Sequence, residues 1–223
     1  MSNLILSDTA YLRPTPAGAF FAVATPAGDR AQRFLFRLLQ EKVTPGATEA
    51  HLLTWSGFEQ PDDALQLVRR MQQSLWIEAL SASRGVPEGA LEEILPGLLT
   101  PLSAAGKAVL ADAQGFYVAT QGFAHETAEE LSALSADLAS LHERHAGLLN
   151  RNLSLRGSAW AMVDAAGHSQ AGFWPLYIGS NRFVLAVAGV PLFNRQELVD
   201  LVWVLVHRYA GPKLVADDNV ENG

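Results

Sequence analysis

The longest regular pattern of apolar and polar positions covers residues 127–150 and predicts one long amphipathic helix. Leucines recur at alternating spacings of three and four, which is the period of a single helical face. These leucines are Leu131, Leu134, Leu138, Leu141 and Leu148, and His145 fills the one step that lacks a leucine. Thr127 and Glu130 have the spacing of a capping box, so the helix is expected to begin there. We expect the leucine stripe to cover a sheet.

Small side chains occupy other faces of the same predicted helix. They are Ala128, Ala133, Ala136 and Ala139. Alanines at these positions would let a second backbone come close, which a helix that only covers its own sheet does not require. The pattern therefore predicts a second packing partner for this helix.

The segments around the helix alternate between strands and turns. Residues 107–111 and 116–120 flank a tight turn and predict a hairpin. Three further apolar runs, at residues 158–164, 170–177 and 182–188, predict a meander. Within the middle run, alternation separates Trp174 from an aromatic and apolar set on the opposite face: Phe173, Pro175 and Tyr177. This strand is either buried on both faces or exposes an aromatic binding surface.

A last helix is expected to begin at Asn194, with Glu197 completing a capping box. Beside its sheet-facing stripe it carries a second apolar edge, formed by Val199, Trp203 and Val206. A helix that is apolar on two sides is covered on two sides. We therefore predict that the two halves of the chain pack on each other through this edge or through the Trp174 face.

The first half predicts a strand at residues 20–24, a helix from Arg30 capped by Asp29, and a short helix over residues 47–55. A third helix starts at Pro61, followed by a strand at residues 76–80. Helix, short helix, helix and strand is the order of a winged helix.

Proline and glycine punctuate residues 86–105, which predicts a connection between domains with a boundary near residue 104. The expected organisation is a mostly helical, winged-helix-like accessory domain over residues 1–104 and a second domain over residues 105–212. A disordered tail is expected over residues 213–223.

Charge and composition restrict the partners. The 223 residues include 16 Lys and Arg against 23 Asp and Glu, a formal charge of −7, so neither nucleic acid nor an anionic membrane is an expected partner. The third helix carries Arg69 and Arg70, but Asp62 and Asp63 offset them. The N-terminus lacks the pattern of a signal peptide, and no apolar run is long enough to span a membrane, so a cytoplasmic location is expected.

Candidate chemistry is sparse. His142 and His145 are three residues apart and would suit a metal, but no third ligand is evident. Asp164, His168 and Ser169 fall in a hairpin turn, where polar residues are common. The chain has no cysteine and no glycine-rich phosphate-binding motif. We expect a protein that is not an enzyme, with no catalytic residues, no cofactor and no metal.

The order of elements from residue 105 to residue 210 resembles the roadblock/dynein-light-chain domain. The resemblance rests on the hairpin at residues 109–120 and on residues 179–185, from Gly179-Ser180-Asn181 through Arg182 to Leu185. It implies an α+β fold, in which a five-stranded antiparallel sheet packs with a long helix. It also implies a homodimer or heterodimer that regulates or scaffolds Ras-like small GTPases. The extra domain at residues 1–100 and the lack of a long helix before Val109 depart from the simplest members.

In that family the long helices and edge strands of two copies meet, and a two-fold interface requires a self-complementary patch. We therefore expect a protein interface formed by Ala128, Ala136, Ala139, Trp160, Met162, Phe173, Trp174 and Trp203. The expected function is a non-enzymatic, dimeric adaptor or regulator of a small GTPase. The alternative is a winged-helix, DNA-binding transcription regulator whose C-terminal domain dimerises or senses a ligand.

Overall fold

The computed structural model describes residues 10–26, 28–155 and 157–211. In the N-terminal part, four helices lie between two short strands along the chain. The elements are β1 (Tyr11–Pro14), α1 (Pro16–Val23), α2 (Arg30–Leu39), α3 (Glu49–Ser56), α4 (Pro61–Gln73) and β2 (Ile77–Leu80). Strands β1 and β2 pair with each other in antiparallel register, Tyr11 opposite Leu80. The predicted tail lies outside the described residues.

The C-terminal part forms a mixed sheet-and-helix unit. Its elements are α5 (Leu91–Leu99), β3 (Ala108–Asp112), β4 (Tyr117–Gln121), α6 (His125–Arg144), a π-helical segment (Gly147–Asn152), β5 (Trp160–Val163), β6 (Ser169–Ile178), β7 (Asn181–Ala188) and α7 (Gln196–Tyr209). The five strands are antiparallel, in the order β4-β3-β7-β6-β5. The α+β class and the five-stranded antiparallel sheet are confirmed.

Alternation along the central strands gives the sheet two apolar faces. Leu110, Leu176 and Leu185 belong to the larger core, which α7 covers, whereas Val109, Phe173 and Val184 belong to a smaller core under α6. Strand β6 is thus covered on both faces, the first of the two alternatives that its sequence left open. Trp174 packs edge-on against Phe193, with ring centroids 4.7 Å apart.

Helix α7 is the element that joins the two halves of the chain. Every residue from Leu198 to Val206 is buried, including Asp200. Trp203 donates its indole N–H to the backbone carbonyl of Glu41 (2.8 Å), just beyond α2, and Arg84 forms an ion pair with Asp200 (3.8 Å). The larger core is one continuous cluster of buried side chains that includes residues of both parts of the chain, from Leu12 in β1 to Val206 in α7. The predicted packing through the Val199, Trp203 and Val206 edge is confirmed, while the boundary near residue 104 stays a prediction.

The predicted strand at residues 20–24 is wrong, because this segment is helix α1. Pro16 stands at the first helical position, and the Thr15 hydroxyl accepts a hydrogen bond from the Gly18 backbone N–H. An added Cβ on Gly18 would lie 1.9 Å from the Trp76 carbonyl oxygen, so the helix backbone lies directly against the segment that enters β2. A short apolar run does not by itself distinguish a buried strand from a buried helix.

Two predicted helix starts are also wrong. Helix α6 begins at His125, before Thr127, and its N-cap is Ala124; α7 begins at Gln196 and its N-cap is Arg195. Neither N-cap side chain makes a capping hydrogen bond. The Asp29 cap of α2 is confirmed, since its carboxylate accepts from the Gln32 N–H at 2.9 Å.

The N-terminal part reproduces the predicted helices α2, α3 and α4 and the strand β2. A winged helix would continue β2 into a hairpin, but the named strand that pairs with β2 is β1, and between residues 81 and 107 no strand is assigned. An isolated bridge joins Val43 to Gly85. The winged-helix character of this part stays a prediction.

Candidate interaction surface

Helix α6 packs on the sheet with its smallest side chains. The buried face consists of Ala128, Ser132, Ser135, Ala139 and His142. The two serine hydroxyls donate to carbonyls one turn back, Ser132 to Ala128 (2.7 Å) and Ser135 to Leu131 (2.6 Å), so they are satisfied within the helix. Side chains of this size let the helix axis lie close to β3 and β7. The expectation that the leucine stripe covers the sheet is confirmed only in part, because Leu131 and Leu138 pack against the smaller core whereas Leu134 is exposed.

The second backbone that approaches the alanines belongs to the same chain. Gly115, in the turn between β3 and β4, has φ +90°, and an added Cβ there would lie 3.1 Å from the Ala133 Cα and 3.5 Å from the Ala136 Cβ. Ala128 and Ala139 are buried against the sheet. Two of the three alanines placed at the two-fold axis are therefore inside the fold, and the third contacts the chain's own turn.

The leucine ridge, which we define as Leu131, Leu134, Leu138, Leu141, His145 and Leu148, lies about 100° around the helix from the buried face. Leu134 and Leu148 are exposed, at 41% and 49%, and His145 is also exposed. Leu131 and Leu138 rest against the smaller core but remain partly accessible. The ridge therefore leaves apolar side-chain surface in contact with water. Covering it would contribute about 1.5–3 kcal/mol of stabilisation for each leucine that becomes fully buried.

Strand β5 forms an edge of the sheet and is the most exposed of its strands. Met162 and Val163 are 61% and 59% exposed, and Ala161 is exposed as well. Its only pairing partner in the described sheet is β6, with Trp160 opposite Phe173. The Trp160 ring packs edge-on against His142 of α6 (6.3 Å), which places β5 beside the C-terminal half of the helix. An unpaired strand edge offers a row of backbone donors and acceptors.

The leucine ridge and β5 together form what we call the apolar corner. Leu153 and Leu155, in the connection between the π-helical segment and β5, add exposed apolar side chains, at 55% and 53%. The corner combines an apolar helix face with a free strand edge, two features that bind proteins by burial and by backbone hydrogen bonds respectively.

The other residues of the predicted interface lie inside the fold. Phe173 and Trp203 are each 3% exposed, and Trp174 is half-buried on the α7 side. Only Trp160 and Met162 of the predicted set lie in the apolar corner. The sequence prediction centred the buried face of α6 on the leucines, whereas the Ala128, Ser132, Ser135, Ala139 series, which has the same helical spacing, forms its centre and was the available signal.

The two histidines weighed as metal ligands point in different directions. His142 is buried against the sheet and packs on Trp160, whereas His145 lies on the exposed ridge. Over the described ranges, no group of three or more His, Asp or Glu side chains could hold a metal ion.

Asp164 organises the turn between β5 and β6. Its carboxylate accepts from the backbone N–H groups of Ala166 (2.8 Å) and His168 (2.9 Å) and faces the His168 ring at 3.3 Å. The hydrogen bond from the His168 backbone is the main cause that lowers the pKa of Asp164 below its ordinary value. These contacts account for Asp164 and His168 as turn residues. The hydroxyl of Ser169 is buried without a hydrogen-bond partner.

A polar cluster ties the C-terminal half of α6 to the hairpin between β6 and β7. The Arg182 guanidinium donates to the Glu143 carboxylate at 2.6 Å. Burial raises the pKa of the neighbouring Tyr177 above its ordinary value, and Glu143 raises it further while Arg182 lowers it. The Glu143 carboxylate is thus engaged within the chain.

The arginines on α2 are likewise engaged within the chain. Arg30 lies 4.0 Å over the Phe58 ring, Arg33 donates to the Gly28 carbonyl, and Arg37 donates to the Thr54 carbonyl. Arg69 and Arg70 on α4 are exposed, as are Asp62 and Asp63 in its first turn. The helices that the structure describes include none that is long and apolar enough to span a membrane.

Comparison with solved structures gives a partial likeness of fold. The chain is similar to a solved Roadblock/LC7 domain from Streptomyces avermitilis, with a TM-score of 0.32 and 13% identity over 50% of this chain and 86% of that chain. No family model matches the chain, and no curated protein matches it. A likeness this weak carries no argument about function.

Proposed function

We propose that the protein is a non-enzymatic adaptor or regulator that forms a homodimer through the apolar corner. The observation that carries the proposal is that both the leucine ridge of α6 and the edge strand β5 expose apolar side chains, while the His142 ring of α6 contacts the Trp160 ring of β5. One partner that covers both features would bury the ridge and pair the strand edge in a single interface.

The charges along α6 favour a second copy of the chain as this partner. The first half of the helix carries Glu126, Glu129 and Glu130 without a lysine or arginine. The second half carries Asp137, Glu143, which is paired with Arg182, and Arg144 in the last turn, and Arg151 follows in the π-helical segment. Two helices that cross in antiparallel orientation place the acidic half of each against the basic end of the other, whereas parallel helices would oppose like charges.

Strand β5 suits the same two-fold arrangement. Antiparallel pairing of a strand with its own copy is isologous, as a closed dimer requires. The strand Trp160–Val163 has no charged residue that would oppose its own copy across the axis. The charges of the helix and the strand edge therefore both favour a second copy of the chain as the partner.

The proposal that the dimer acts on a Ras-like small GTPase rests on the sequence resemblance alone. A direct test presents the full chain to the small GTPases of its own cell, each loaded with GDP or with a non-hydrolysable GTP analogue. Nucleotide-dependent retention by the wild type would support a regulator, and retention of none of them would remove this part of the proposal while leaving the dimer untouched.

The dimer is tested by Leu134→Glu, measured by sedimentation equilibrium. Each carboxylate in a dry apolar interface costs about 3 kcal/mol and the dimer contains two, so the Kd for self-association should rise at least about 100-fold. Leu75→Glu is the matched control, because Leu75 is 73% exposed and lies after α4, away from the corner. A wild-type chain that is monomeric at micromolar concentration, or a Leu134→Glu variant with wild-type Kd, would refute the proposed interface.

A further inference from the structure

Helix α4 ends in a left-handed turn that is formed by Leu75. The Leu75 N–H donates to the Gln72 carbonyl (3.0 Å) and the Trp76 N–H donates to the Met71 carbonyl (2.8 Å), which are the two hydrogen bonds of a Schellman motif. The motif requires a positive φ at the position of Leu75, and the φ of Leu75 is +55°. Glycine is the usual residue at this position because it has no Cβ. The left-handed residue that ends α3 is indeed a glycine, Gly57.

The fold of the isolated chain gains little from a leucine at this position. Leu75 is 73% exposed, more than any other large apolar side chain that the structure describes. The turn is held by backbone hydrogen bonds, by the Thr15 hydroxyl, which donates to the Leu75 carbonyl, and by Trp76, which packs on the larger core. None of these contacts uses the Leu75 side chain. An exposed leucine at a strained backbone position therefore indicates a role outside the fold itself.

The last two turns of α4 add positive charge beside this leucine. Arg69 and Arg70 are exposed, and Arg70 stands in the last turn of the helix. The ion pairs between described residues include neither arginine. Asp62 and Asp63 stand in the first turn, seven residues before Arg69 and Arg70 respectively, or about 10 Å along the helix axis. The end of α4 therefore presents one apolar side chain together with two arginines.

We propose that Leu75 anchors a partner protein through a segment that carries an apolar side chain beside carboxylates. The apolar side chain covers Leu75, and the carboxylates pair with Arg69 and Arg70. Nucleic acid would offer phosphates to the arginines but no aliphatic side chain to Leu75, and the net charge of −7 opposes its approach. This surface lies outside the apolar corner, so the inference is independent of the proposed homodimer.

The first experiment measures whether Leu75 serves the fold. Leu75→Gly removes the Cβ from the left-handed position, so it should raise the urea midpoint of unfolding of the full chain. Leu75→Asn should not lower the midpoint, because asparagine tolerates positive φ. A lower midpoint in both variants would mean that the leucine stabilises the fold, and this result would overturn the proposal.

The second experiment measures binding, with a phage-displayed library of random dodecapeptides as the probe for the immobilised full chain. Enriched peptides should combine an apolar residue with Asp or Glu. Synthetic copies of these peptides should bind Leu75→Gly and Arg70→Glu at least about 10-fold more weakly than the wild type. Phe116→Ala is the matched control, because Phe116 is 70% exposed but lies in the turn between β3 and β4, and it should keep the wild-type affinity.

Other outcomes of the selection would refute the proposal. These are no enrichment over the bare support, enrichment of peptides without carboxylates, and peptides that bind the wild type and Leu75→Gly equally well. Binding of a DNA duplex that is lost in Arg70→Glu but kept in Leu75→Gly would assign the end of α4 to nucleic acid instead. Leu134→Glu, which tests the homodimer, should keep the affinity for the enriched peptides, so either proposal can fail without the other.

Discussion

The close approach of the β3–β4 turn to α6 predicts that Gly115 tolerates no side chain. Gly115→Ala adds a Cβ 3.1 Å from the Ala133 Cα, which is a backbone atom that cannot move aside as a side chain would. The substitution also places an L-residue at φ +90°. Left-handed backbone costs about 1–2 kcal/mol for alanine, and crowding in a packed region costs about 1–3 kcal/mol. We expect a loss of about 2–5 kcal/mol in the free energy of unfolding.

Gly57→Ala separates the two contributions. Gly57 also has positive φ, at +65°, but an added Cβ there would meet nothing within 4 Å, so only the backbone cost applies. Urea unfolding of both variants should show Gly115→Ala to be the less stable by about 1–3 kcal/mol, which is the cost of crowding alone. Equal stabilities would mean that the turn does not lie against the alanines of α6, and the assignment of that face to intrachain packing would fail.

Two further predictions concern the contact between the two parts of the chain and the binding of DNA. Trp203→Phe removes the hydrogen bond to the Glu41 carbonyl and should lower the free energy of unfolding, measured in urea, by about 1–3 kcal/mol. Trp160→Phe should cost less, because the indole N–H of Trp160 has no hydrogen-bond partner. The reverse order would contradict the proposed role of Trp203 in joining the two halves of the chain. The affinity for DNA should not exceed that of weak, salt-sensitive, non-specific binding, because the chain carries a net charge of −7 and the arginines of α4 share that helix with Asp62 and Asp63. Sequence-specific binding that survives about 0.2 M salt in a mobility-shift assay would overturn this prediction.

The parts of the fold that the sequence predicted well are those with strong local signals. The Asp112 turn and the meander of β5, β6 and β7 have clear alternation between glycine-containing turns. Asp29 and Pro61 mark helix starts by side-chain and backbone chemistry that acts within one turn. In each of these cases the local preference and the tertiary structure agree.

The wrong predictions of secondary structure fall where two local patterns in the sequence were equally regular. Helix α1 is a short apolar run whose burial against Trp76 and α7 decides its conformation, and that contact joins positions about 60 residues apart or more. The starts of α6 and α7 lie a few residues from polar side chains that have the right spacing for a cap but do not make the bond.

The rotation of α6 by about 100° from the predicted orientation follows from the same ambiguity, and it bears on the candidate interface. Hydrophobicity favours the leucine stripe as the buried face, but the distance between a helix and a sheet is set by the side chains between them. Strands β3 and β7 already supply branched side chains such as Val109 and Val184. The alanine and serine face fits the remaining space, which leaves the leucines at its border, with Leu134 and Leu148 exposed. Leucines that the fold leaves exposed are costly in water, and together with the exposed side chains and free edge of β5 they argue for a partner that covers both.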